Sequence, residues 1–110
     1  MIDNYMDTES GLKRIGGNAT LYKKLLTIFL NDIKLESLVT AIESGNFSEI
    51  SAIAHTIKGV SANLSLINLQ NISANIDVQA KAGNDCNSFI PELTETFNKT
   101  VELVNAFLNQ

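Results

Sequence analysis

A chain of 110 residues with 45% hydrophobic content and few Gly and Pro suits one compact domain around one core. Its net charge of −4 argues against nucleic acid and against direct contact with an anionic membrane, since both call for a basic patch. The one cysteine, Cys86, excludes an internal disulfide and leaves too few ligands for a zinc site.

Residues Thr8 to Ile15 read as a brief helix ended by Gly16-Gly17. From Asn18 or Thr20 the pattern predicts one long helix to about Ser44. Leu21, Leu25, Ile28, Asp32, Leu35, Val39 and Ile42 follow three–four spacing along one stripe, and Leu26, Phe29, Ile33 and Leu38 widen it. Gly45 closes that helix. Asn46 with Glu49 gives a capping-box-like start to the next, which is expected to run to about residues 64–66. Its apolar face is Ile50, Ile53, Ala54, Ile57, Val60 and Leu64.

A further helix is predicted from about Asn68 to Ala82, with Leu69, Ile72, Ser73, Ile76 and Ala80 inward and Gly83 at its end. Gly83 to Asn87 reads as a polar loop in which Cys86 is an incidental thiol. Ser88 is the expected cap of the last helix, and Pro91 falls in its first turn, where a missing N–H costs nothing. Leu93, Phe97, Val101, Val104 and Leu108 form its core stripe. Phe29, Phe47, Phe89, Phe97 and Phe107 read as core or staple residues. No strand pattern competes. Short connections make neighbouring helices antiparallel, so the expected fold is all-α: an up-down-up-down four-helix bundle with a short additional N-terminal helix, filling residues 1–110 as a single domain.

His55 is the only histidine and stands in the run Ala54-His55-Thr56-Ile57-Lys58-Gly59. At about 100° per residue it points nearly opposite the apolar face of its helix. Ser48, Ala52, Gly59 and Ala62 share its outward side. An ordinary solvated face would carry Lys, Glu or Gln there. Lys58 places a cation beside anything the imidazole carries, and Gly59 removes bulk where a second protein would approach. That constellation fits a phosphorylatable histidine that hands its phosphoryl group to another protein. The plain alternative is a surface histidine on a helix poor in charge. No glycine-rich phosphate loop is present, since Gly16-Gly17 lacks the spacing and the Lys-Ser or Lys-Thr that should follow. Asp32 and Glu36, one turn apart, fit a solvated or interface role better than paired-carboxylate catalysis.

The chain resembles the histidine phosphotransfer (HPt) domains of multistep two-component phosphorelays. The stretch from Gly11 to Asn18, then Leu21-Tyr22 and Leu25-Leu26 leading to Phe29 and Asp32, is similar to the opening of these domains. Ala54 to Leu64 is similar to their phosphorylation motif, and Leu69, Ile72, Ile76 and Asp77 match the following helix. Ala62 and Ser65 stand where glycines are frequent; both are small, so a docking face should survive. The resemblance implies that His55 takes a phosphoryl group from a receiver-domain aspartate and passes it to another receiver, with Lys58 stabilising the phosphoryl oxygens. An imidazole suits this because it titrates near neutrality. The resemblance also brings Asp77 or Lys81 to the imidazole or the phosphoryl oxygens; on the helical wheel both lie at the flank of their helix, and plain surface charge is the alternative.

The implied partners are receiver domains of response regulators or hybrid histidine kinases. The magnesium ion belongs to the receiver, and this chain, a monomer as an isolated domain, carries no cofactor, metal or ATP site. Two other readings stay open: the phosphoryl-accepting domain of a chemotaxis-type histidine kinase, and a non-phosphorylated receiver-binding scaffold. No signal peptide opens the chain, and no apolar run approaches the roughly 20 residues of a membrane span, so a cytoplasmic setting is expected. Met1 is either a native start or the start of a piece of a larger hybrid sensor kinase.

Overall fold

The computed structural model describes residues 5–110 as six α-helices and one 3₁₀ turn: α1 (Thr8–Arg14), α2 (Ala19–Asp32), α3 (Leu35–Ser44), α4 (Phe47–Leu64), α5 (Ile67–Lys81), the turn Asn87–Phe89, and α6 (Ile90–Leu108). No strand occurs among the described residues.

The side chains fix the topology. Tyr22, early in α2, donates its hydroxyl to the Leu64 carbonyl at the end of α4 (2.8 Å) and rests edge-on against Phe107 near the end of α6. Phe29, late in α2, meets Phe97, early in α6, with ring centroids 6.1 Å apart. Hence α2 runs antiparallel to α6. It also runs antiparallel to α4, because its last residues share a groove with Thr56 and Ile57, well upstream of Leu64. Only Gly45-Asn46 separates α3 from α4, and only Ser65-Leu66 separates α4 from α5. The α4–α5 hairpin is the most extensively packed pair. α2 and α3 together form the first arm, so the bundle is up-down-up-down, with α1 laid across the end of α4.

The single helix expected over residues 18–44 is broken in two. Ile33 and Lys34 are both extended (φ −99°, ψ 117° and φ −120°, ψ 128°). Asn31, Asp32 and β-branched Ile33 are all weak helix formers. The Ile33 N–H still bonds the Phe29 carbonyl, and the Lys34 ammonium covers the Leu30 carbonyl at 3.1 Å. Burial supplies the deeper reason. The buried side chains are Tyr22, Leu26 and Phe29 in α2, and Leu38, Ala41 and Ile42 in α3. At about 100° per residue, an unbroken helix would carry the second set roughly 150° away from the first. Two extended residues reset the phase so that both sets face the core. The expected stripe is therefore misplaced in α2, where Leu21 is 38% and Ile28 43% exposed.

The other boundaries follow their local chemistry. Asn18 caps α2 through the Leu21 N–H, and Asn46 caps α4 through the Glu49 N–H. Gly45 is left-handed at φ 69°, a conformation glycine adopts without steric cost. The last helix departs from expectation. Ser88 lies inside the 3₁₀ turn, the cap position belongs to Phe89 with no side-chain bond, and Pro91 sits in the first turn as predicted. Cys86 is no incidental loop thiol: it is 1% exposed and part of the core, where burial, with Asp85 adding to it, pushes the thiol pKa up. Of the five phenylalanines, Phe47 is exposed and the others are buried or half-buried against the core.

Ser65 stands apart as the one described non-glycine residue with positive φ (57°). It closes α4 in the left-handed region, with its backbone N–H on the Ala62 carbonyl. Its own carbonyl accepts the Asp7 N–H at 2.9 Å, and its hydroxyl bonds Ser10, so this turn also seats α1. Ser65 is buried and belongs to the α4–α5 turn rather than to the face around His55. Gly11 completes the seat: a Cβ there would come within 2.6 Å of the Tyr22 ring.

Candidate functional site

His55 lies midway along α4, between turns anchored by Ala54 and Ile57 in the core. Its side chain is 66% exposed. Ser48, Ala52 and Gly59 are exposed on the same helix, and Ala62 is half-buried. A Cβ added at Gly59 would meet nothing within 4 Å. Internal packing therefore leaves this position open, and the surface beside the imidazole is bare. A groove of about 310 Å³ adjoins it, between the α2–α3 break (Asp32, Ile33, Lys34) and α4 (Ala52, Ile53, Thr56).

The other wall of the site comes from α5. Asp77 was expected at the flank of its helix, with plain surface charge as the alternative. It is instead buried, at 3% exposure. The packing of α5 against α4 puts it under the histidine ridge. Its Oδ1 accepts the Ser51 hydroxyl at 2.6 Å. Its Oδ2 faces three nitrogens: Lys81 Nζ at 3.3 Å, His55 Nδ1 at 3.7 Å and Lys58 Nζ at 4.0 Å. The Ser51 hydrogen bond holds the Asp77 carboxyl below the usual carboxylate range, and Lys81 and then Lys58 add to this against the opposing effect of burial. The histidine separation exceeds hydrogen-bond length, so the carboxylate acts on the ring through charge rather than through a bond. Nδ1 lies on the carboxylate side of a ring that is largely exposed.

One carboxylate thus gathers His55, Lys58 and Lys81. Each of these was singled out in the sequence, and the structure brings all of them together. Ser51 was missed. Its signal was present: it stands four residues before His55, one turn away on the same side of α4. Among the described residues, no three of His, Cys, Asp and Glu converge as a metal site would require, and no helix is long and apolar enough to cross a membrane.

An antiparallel helical bundle that presents one histidine beside two lysines on a bare face has the form of a protein that carries a group rather than one that encloses a substrate. The family model for the Hpt domain matches residues 24–104, and the chain belongs to that family. Membership makes it a phosphotransfer carrier of two-component signalling, a class distinct from the kinases. The matched span covers the site and nearly all of α2 to α6; the resembling stretch from Gly11 to Tyr22 lies outside it. Searches of curated proteins and of solved structures found no match.

Proposed function

We propose that His55 is the residue that carries the phosphoryl group, accepting it from an aspartyl phosphate on one receiver domain and yielding it to an aspartate on another. The observation that supports this most is a largely exposed imidazole whose Nδ1 lies 3.7 Å from the buried Asp77 carboxylate, which makes Nε2 the nitrogen to attack. The Nε2 lone pair of the neutral imidazole attacks phosphorus. The bond from phosphorus to the aspartyl oxygen breaks, and its electron pair leaves on the receiver carboxylate. Nδ1 keeps its proton, so the ring becomes cationic as it takes the phosphoryl dianion. Discharge reverses these steps. The transition state spreads negative charge over the phosphoryl oxygens, which favours nearby cations. Lys58 and Lys81 are placed to supply them. On this reading the magnesium ion sits on the receiver, and Gly59, Ala62, Ala52 and Ser48 form the docking face.

The test is label transfer from a phosphorylated receiver to the wild-type chain and to His55→Gln. Acid-labile label is expected on the wild type only, with stability changed by less than about 0.5 kcal/mol at this exposed position. Label retained on a folded His55→Gln variant would move the site elsewhere. A wild-type chain that binds receivers but never takes label would be a scaffold.

A further inference from the structure

We propose that Ser51 is a positioning residue for this transfer, acting through Asp77; the proposal rests on the phosphocarrier reading of His55. Ser51 and His55 lie one turn apart on α4, so their side chains project along one ridge. The two oxygens of Asp77 are divided between them, Oδ1 taking the Ser51 hydroxyl and Oδ2 facing Nδ1 of the ring. Both lysines crowd the same Oδ2. Lys81 donates to Oδ2 at 3.3 Å, but its chain is long and mostly exposed, so water competes for its ammonium and the bond is a loose one. A carboxylate held by such groups alone would turn about its Cβ–Cγ bond as they moved.

Ser51 prevents that turn. Its side chain is short, and its bond of 2.6 Å to an ionised acceptor is of the strong, charge-assisted kind. It occupies Oδ1 from the α4 side and so keeps Oδ2 beneath the ring. When Nε2 takes the phosphoryl group and positive charge develops at Nδ1–H, the anion that stabilises it is already in place and need not reorganise. A serine to an aspartate to a histidine is here an orienting chain in which the histidine is the nucleophile and the serine is the outermost support.

Two readouts separate this role from a merely structural hydrogen bond. The first needs no phosphodonor: ¹⁵N spectra of the free protein report which ring nitrogen holds the proton. The wild type should favour Nδ1–H. Ser51→Ala should shift the population toward Nε2–H, Asp77→Asn should shift it at least as far, and Ser51→Thr, which keeps the hydroxyl, should restore it. The second readout is single-turnover transfer from a phosphorylated receiver. Ser51→Ala should lower the maximal rate constant roughly 3- to 10-fold, the order expected for one orienting hydrogen bond, with half-saturation by the receiver unchanged and with rescue by Ser51→Thr. Unchanged tautomer and rate in folded Ser51→Ala would overturn the proposal, even if the variant melts earlier. So would a Ser51→Thr variant as impaired as Ser51→Ala. Should Ser51→Ala not fold, an unshifted tautomer in Asp77→Asn, which keeps the side chain's shape, would be equally fatal. A wild type that takes no label would refute the phosphocarrier reading, while the tautomer comparison would still judge the alignment of Ser51, Asp77 and His55.

Discussion

Gly59 offers the sharpest test of the docking face, because stability and function should move in opposite directions when it is replaced. It lies in the interior of α4, is exposed, and has open space where a Cβ would stand. Glycine at such a site costs roughly 1 kcal/mol relative to alanine. Nothing in the packing offsets that cost, so Gly59→Ala should stabilise the isolated domain by about that amount, raising Tm by about 4 °C for a domain of this size. Gly59→Gln should gain slightly less, since glutamine is only a few tenths of a kcal/mol behind alanine in a helix. Its side chain, however, would stand one turn from His55 on the surface where, on the proposed reading, a receiver brings its aspartate to the imidazole. Transfer should fall by about tenfold or more, the equivalent of 1.4 kcal/mol in the barrier. Thermal unfolding followed by circular dichroism gives the first quantity, and label transfer from a phosphorylated receiver gives the second. A Gly59→Gln variant that transfers at the wild-type rate would show that the receiver docks elsewhere. One that melts well below the wild type would show that the glycine serves internal packing.

Two other perturbations read the charges around the imidazole. Lys58→Ala should slow single-turnover transfer by less than the roughly 100-fold that removal of one preorganised donor at a reacting charge often costs, since Lys58 is partly solvent-screened and Lys81 remains; an unchanged rate would make it an ordinary surface charge. Asp77 should leave a signature in acid. Its folded pKa is lowered from 3.8, so the folded state favours the ionised form, and the resulting stability is present above that value and lost as pH falls below it through the folded pKa. Asp77→Asn should therefore be less stable than wild type at pH 7 and lose less on acidification below about pH 4, which urea unfolding at pH 7 and at pH 3 would check; parallel pH dependence in the two proteins would contradict the assignment.

The parts of this architecture written in local chemistry are legible in the sequence. Asn18, Gly45, Asn46 and Gly83 marked helix ends because each acts through its own backbone neighbourhood. The inward faces of α4 and α5 were legible because their periodicity is unbroken. The break at Ile33–Lys34 was not, since no Gly or Pro marks it and the apolar residues on either side keep helical spacing; only the requirement that two differently phased faces reach one core exposes it. Cys86 and Ser88 were misread for a related reason, the loop before α6 being shaped by packing beneath it. At the site, His55, Lys58 and Gly59 are local to one helix and could be read from it. The depth of Asp77 and its bond to Ser51 depend on how closely α5 lies against α4, which the pattern of either helix alone does not state.

Ser51, His55, Lys58, Asp77 and Lys81 all fall on two consecutive helices joined by Ser65-Leu66. The proposed transfer site is thus assembled by a single hairpin whose contacts are short in sequence separation, the kind that forms early and costs little loop-closure entropy. α1 is tied on mainly through the turn of that hairpin, by the Asp7 N–H and the Ser10 hydroxyl on Ser65. Opening of α1 can therefore proceed without drawing the imidazole away from its carboxylate. In amide exchange, the hairpin and α1 should separate as distinct cooperative units, with the protection of α1 lost first and the residues around His55 holding on toward the global limit.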